Sequence, residues 1–116
     1  MADNRDFRVR AFLFIENEGV ATGLYNHVLG LKDDAVDINP DKSNAEMRYV
    51  KLNDYYIVSY DLCFPPDKQG MARGLYNHTK NTPSQQLGDD KCYVSLEHCG
   101  HRIKEKCELI TKHIVE

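Results

Sequence analysis

The sequence predicts an α+β domain in which an antiparallel sheet carries helices. Three observations predict it. Hydrophobic periodicity alternates along the chain between steps of two and steps of three or four. Two glycine-led segments of nine residues, opening at Gly19 and Gly70, are nearly identical. No apolar run approaches the ~18 residues that span a bilayer.

Residues 7–15 are apolar and rich in aromatics, the signature of a strand. Leu13 lies between Phe12 and Phe14, so both parities are apolar and the strand is expected to be buried on two faces. Residues 19–31 place Val20, Leu24, Val28 and Leu31 on one helical face. The polar stretch 32–44 contains the turn signal Asn39-Pro40-Asp41. Residues 45–52 and 55–64, rich in Tyr and Val around Asn53-Asp54, predict a hairpin. Pro65-Pro66 ends its second arm, because proline cannot continue a central ladder. A helix over 68–78 follows, with Met71, Leu75 and Thr79 on one stripe. Residues 80–90, with Pro83 and Gly88, predict a loop. Cys92, Val94 and Leu96 alternate as in a strand over 92–98, and 101–115 carries a helical stripe of Ile103, Cys107, Ile110 and Ile114.

The first six elements follow the order of the split βαβ, or ferredoxin-like, arrangement: βαββαβ, an antiparallel four-stranded sheet with two helices on one face. The C-terminal helix is an addition whose stripe must bury against the sheet or another chain. One domain of 116 residues is expected. Within it, 1–6 form a flexible N-terminus, 7–52 and 53–98 two related halves, and 101–115 the added helix.

The internal repeat carries the halves. Gly19-Val20-Ala21-Thr22-Gly23-Leu24-Tyr25-Asn26-His27 and Gly70-Met71-Ala72-Arg73-Gly74-Leu75-Tyr76-Asn77-His78 differ only at Val20/Met71 and Thr22/Arg73. Chance agreement of this kind has odds on the order of one in a thousand. Two explanations are open. In the first, glycines four apart allow close backbone approach, which offsets their ~1 kcal/mol helix cost, and Tyr, Asn and His fix the packing. In the second, Tyr25, Asn26, His27, Arg73, Tyr76, Asn77 and His78 bind a small anionic ligand. Amides both donate and accept, imidazole titrates near neutral pH, and helix starts attract anions.

Composition narrows the function. A net charge of -3 offers no footprint for nucleic acid, and Arg5, Arg8 and Arg10 read as a solvated strand edge. The polar N-terminus lacks a secretory pattern, so a cytoplasmic location is expected, with Cys63, Cys92, Cys99 and Cys107 as reduced thiols. Cys92 and Cys107 are expected to face the core. His98, Cys99, His101 and Cys107 are zinc-ligand types, but no Cys-x-x-Cys pair accompanies them, and they read as a strand end followed by a helix start. The sequon Asn77-His78-Thr79 falls inside a predicted helix. No phosphate loop, dinucleotide fingerprint, paired-carboxylate motif or nucleophile signature is present, and no cofactor is implied.

The segment Ile57-Val58-Ser59-Tyr60-Asp61-Leu62 ends a strand with an acid. Over those six residues it resembles the strand-terminal aspartate of CRISPR-associated Cas2-like proteins. The resemblance implies Asp61 as a metal ligand on a nuclease dimer, although it falls in the third-strand slot rather than the first. The functional expectation is a small non-enzymatic binding or regulatory protein acting as a homo-oligomer through protein–protein contacts. The alternative is a small-molecule binder or enzyme, for a ligand bearing phosphate or a nucleotide, that uses the duplicated helices.

Overall fold

The structure, a computed structural model, describes residues 6–35, 46–85, 92–100 and 107–115. Its elements are β1 (Asp6–Ile15), α1 (Glu18–Leu31), β2 (Glu46–Leu52), β3 (Tyr55–Phe64), α2 (Gln69–Lys80), β4 (Tyr93–Cys99) and β5 (Cys107–Ile114). The five strands form one antiparallel sheet in the order β2-β3-β1-β4-β5. The fold is thus α+β, with two α-helices among the described residues.

β1 is central: it is apolar on both parities over its last four residues, Phe12 to Ile15, and it pairs with β3 on one side and β4 on the other. Opposed residues share a face. Val9 lies opposite Leu62 and Leu96, and Ala11 opposite Tyr60 and Val94. These rows face the helices, as the buried contact of Tyr60 with Thr79 of α2 shows. Ala21, Leu24 and Val28 of α1 and Ala72, Leu75, Tyr76 and Thr79 of α2 complete the core.

Local chemistry sets the element ends. The Asn17 side chain caps α1 by accepting from the Val20 amide at 3.0 Å. In the β2–β3 turn Asn53 has φ 54°, a left-handed conformation that asparagine tolerates better than most residues. Beyond α2, the Gln85 amide donates to the Phe14 carbonyl at 2.8 Å, so this part of the predicted loop lies along the end of β1. Asp6, assigned by sequence to a flexible terminus, opens β1 and is buried; residues 1–5 and the turn at 39–41 lie outside the described residues.

The predicted C-terminal helix is corrected. Residues 101–106 lie outside the described residues, and 107–114 form the edge strand β5. It pairs with β4 from Cys99↔Cys107 to Tyr93↔Ile114, with a register shift at Leu96/Glu97 that passes over Ile110. The shift accounts for the misleading period. A bulge adds one residue to the alternation, so a strand acquires a step of three, as a helix face would. The free edge of β4 supplied backbone partners that a helix could not use. Ile110, Thr111 and Ile114 are β-branched and suit that role.

The expectation of four reduced thiols is corrected as well. Cys99 and Cys107, direct cross-strand neighbours, form a disulfide. Cys63 and Cys92 are free and buried. Cys92 takes the core position expected of it, whereas Cys107 sits half-buried on the edge strand rather than in the core.

Candidate functional site

The repeated segments occupy corresponding places in α1 and α2. Ala21 and Ala72, Leu24 and Leu75, and Val28 and Thr79 are matching buried positions of the two helices, whereas Tyr76 is buried and its counterpart Tyr25 only half-buried. The glycines do not mediate close approach. A Cβ built at Gly23, Gly70 or Gly74 meets nothing within 4 Å, and one at Gly19 meets only the capping Oδ1 of Asn17, at 3.2 Å. Gly19, Gly23, Gly70 and Gly74 are all exposed, because alanine and leucine already form the face against the sheet.

Of the seven predicted site residues, the structure brings His27 and His78 together. Their rings stack with centroids 4.3 Å apart and planes inclined by 29°. Burial, and then the charge of His78, hold the pKa of His27 below its ordinary value. Each ring nitrogen's lone pair lies in its ring plane, so two stacked rings do not aim at one metal ion. The pair lines a shallow groove on the helical face, together with Gly23, Asn26, Asn81 and Thr82.

The two tyrosines diverge. Tyr25 packs at 5.3 Å against Tyr49 of β2, one edge strand. The Tyr76 hydroxyl lies 3.1 Å from Thr111 Oγ1 of β5, the other edge strand, and the Lys80 ammonium sits 5.8 Å above its ring. Asn26, Asn77 and Arg73 are exposed. With the Gln69 amide oxygen turned toward it, Arg73 donates along its own helix at 3.0 and 2.9 Å. The structure therefore gathers the histidines at the helix contact and sends the phenols to opposite ends of the sheet.

The face of the sheet away from the helices carries paired charge. Arg8 donates to both carboxylate oxygens of Asp61, from Nε at 2.8 Å. Arg10 grips Glu97 in the same two-pronged way, at 2.8 Å on each side. These two arginines, which the sequence placed on a solvated edge, are instead cross-strand partners of acids. The Asp61 carboxylate, the implied metal ligand, is thus spoken for by a guanidinium.

The thiols are not activated. Burial, then the nearby Asp6 carboxylate, push Cys63 up to about 12, so it carries no nucleophilic thiolate near neutral pH. Burial also raises Cys92, whose sulfur accepts from the Phe14 amide at 3.2 Å and donates to the Gln85 carbonyl at 2.6 Å. Among the described residues, no three His, Cys, Asp or Glu side chains are grouped to hold a metal ion, and no helix is long and apolar enough to cross a membrane. Of the zinc-type residues, Cys99 and Cys107 are joined by the disulfide, His98 stacks on Phe7 at 4.6 Å, and His101 lies outside the described residues.

Sequence reasoning missed the outer strand. β5 exposes Leu109 at 58%, Ile110 at 40% and Ile114 at 42%, an apolar strip on the edge of the sheet. The signal available was the pair Cys99 and Cys107, separated by 8, a spacing that a hairpin can close. No protein-family model matches the chain, and no curated protein or solved structure is significantly similar to it.

Proposed function

We propose that the chain is a ferredoxin-like binding protein that performs no chemistry of its own and works as a homo-oligomer joined through β5. The order β2-β3-β1-β4 supports the fold assignment, since it is that of two interleaved βαβ units, to which β5 adds one strand. The observation that carries the functional proposal is β5 itself: an edge strand of 8 residues exposing Leu109, Ile110 and Ile114.

An unprotected edge is a template for another strand, and apolar side chains along it favour a permanent partner over solvent. A second copy meets the requirement. Two β5 strands related by a twofold axis run antiparallel and continue the sheet from one subunit into the next, an isologous contact. Glu108 stands near one end of the strand and Lys112 near the other, so antiparallel apposition brings unlike charges to the same end.

Light scattering coupled to size-exclusion chromatography tests this. The wild-type chain is expected at twice its 13.4 kDa mass or a higher multiple. Leu109→Lys with Ile110→Lys is expected to be monomeric, while Leu52→Lys on the opposite edge leaves the mass unchanged. A monomeric wild type, or a charged β5 that still associates, refutes the proposal.

The stacked histidines favour one second reading, a small anionic ligand in the groove at His27 and His78. It predicts that inorganic phosphate or a nucleotide shifts the imidazole resonances of both rings, and that His27→Ala with His78→Ala removes the response while the melting temperature holds. Loss of stability in that variant assigns the pair to packing.

A further inference from the structure

We propose that the open face of the sheet, on the side away from the helices, binds a purine nucleoside monophosphate across the row Arg48, Ser59, Phe12 and Tyr93. The site is separate from the β5 edge and from the groove at His27 and His78, and it depends on neither.

The row follows from strand register. Phe12 of β1 lies opposite Ser59 of β3 and Tyr93 of β4, and Arg48 of β2 lies opposite Ser59. Opposed side chains share a face. Phe12 adjoins Ala11, which faces the helices, and successive strand side chains point to opposite faces, so the row lies on the open side. The order across the sheet is therefore cation, hydroxyl, ring, ring. These residues, with Arg10 and Asp61, line an open groove of about 580 Å³, within the size range of small-molecule sites. Phe12, Ser59 and Tyr93 are half-buried and Arg48 is exposed, so a ligand reaches all of them. Phe12 packs nearly perpendicular to Phe14, with centroids 5.2 Å apart and planes inclined by 83°, and Phe14 is itself buried. The ring is thus fixed before any ligand arrives, which lowers the entropy cost of binding.

Charge and spacing select the ligand. Asp61 is gripped by Arg8 and Glu97 by Arg10, so these two acids do not repel an anion as bare carboxylates would. Arg48 has no ion-pair partner among the described residues. A free guanidinium presents a planar fork of donors that matches a phosphate. The Lys112 ammonium, 4.9 Å over the Tyr93 ring, adds a second cation at the other end of the row. Adjacent strands lie ~4.8 Å apart, so Arg48 and Phe12, with β3 between them, stem from backbones ~10 Å apart. A ribose and its phosphate, met by the long arginine side chain, cover that span, with the Ser59 hydroxyl beneath the sugar. The Cβ atoms of Phe12 and Tyr93 are ~5 Å apart, so a base of two fused rings that stacks on Phe12 also reaches Tyr93. The net charge of -3 gives no long-range pull on a polyanion, which favours one nucleotide with a single phosphate over a nucleic-acid strand.

Two-dimensional NMR of the full chain tests the site, with separate titrations of adenosine monophosphate, adenosine, inorganic phosphate and a single-stranded oligoadenylate. The monophosphate is expected to move the resonances of Phe12, Arg48, Ser59 and Tyr93 and to leave those of His27 and His78 in place. Adenosine and phosphate, each offering half of the contacts, are expected to bind more weakly by about tenfold or more. Arg48→Gln and Phe12→Leu are each expected to weaken monophosphate binding by about tenfold, through loss of a charged contact and of a stacked base respectively. Arg48 is exposed, so its variant keeps the fold and decides the matter even where Phe12→Leu unfolds the chain. Absence of shifts on this face overturns the proposal, as do shifts confined to His27 and His78. Phosphate that binds as tightly as the monophosphate reveals a bare anion site, and an oligoadenylate that binds where the monophosphate does not reveals a strand site. Either result overturns the proposal, as does wild-type affinity in Arg48→Gln.

Discussion

Replacing Asp61 by alanine leaves the Arg8 guanidinium without the two acceptors that hold it, and the loss can be sized from the structure. The two side chains are 12% and 16% exposed. Removing one partner of a buried ion pair costs ~3–5 kcal/mol, whereas an exposed pair is worth ~0–1 kcal/mol. Residual exposure places this pair at the lower end of the buried range, about 3 kcal/mol. The hydrogen bond to Asp61 is the main reason the Arg8 pKa is raised, and burial opposes it, so the cation depends on its partner. A domain of this size has roughly 6–17 kcal/mol in all, so the loss is a large fraction. It corresponds to a fall in Tm of about 10–15 °C. Urea unfolding followed by circular dichroism reads it as a lower midpoint with an unchanged slope. Arg8→Met with Asp61→Leu removes both charges and keeps apolar volume, and is expected to recover stability to within about 1 kcal/mol of wild type. A single-variant loss under about 1 kcal/mol means that water screens the pair. A double variant that loses the sum of the singles means that the two residues do not act on each other. Either result refutes the assignment of Asp61 as a structural partner of Arg8.

Two further outcomes follow from the helix face. His27 has its pKa held below the ordinary 6.5, so the unfolded chain accepts a proton that the folded chain resists. Its contribution to stability is complete above pH 6.5 and is lost as pH falls through the folded value; His27→Gln is expected to flatten that part of the stability–pH curve, and an unaltered slope refutes the assignment. Tyr60 places its hydroxyl 2.6 Å from Thr79 Oγ1 in the core, and burial keeps the phenol neutral by raising its pKa. Tyr60→Phe leaves the Thr79 hydroxyl without that partner and is expected to cost about 1–2 kcal/mol in chemical denaturation; a loss under about 0.3 kcal/mol shows that a helix carbonyl replaces it.

What the sequence determined by itself was local. β1, the hairpin about Asn53-Asp54, both helices and β4 follow from side-chain period and turn chemistry, each legible within a window of about ten residues. The twin helices were legible too, down to Leu24 and Leu75 as their buried anchors. Tertiary structure decided the rest. The last segment carries a spacing that a helix satisfies and a bulged strand satisfies equally, and the unpaired backbone edge of β4 selected the strand. That edge is a partner distant in the fold, so no local window contains it. The same pairing set Cys99 opposite Cys107 and made a disulfide of two residues that composition alone leaves as thiols. Packing of two helices on one sheet brought His27 against His78 while carrying Tyr25 and Tyr76 to opposite edges. Nearly identical sequence in two helices fixes which residues share a face; only their placement on the sheet determines which of those residues meet.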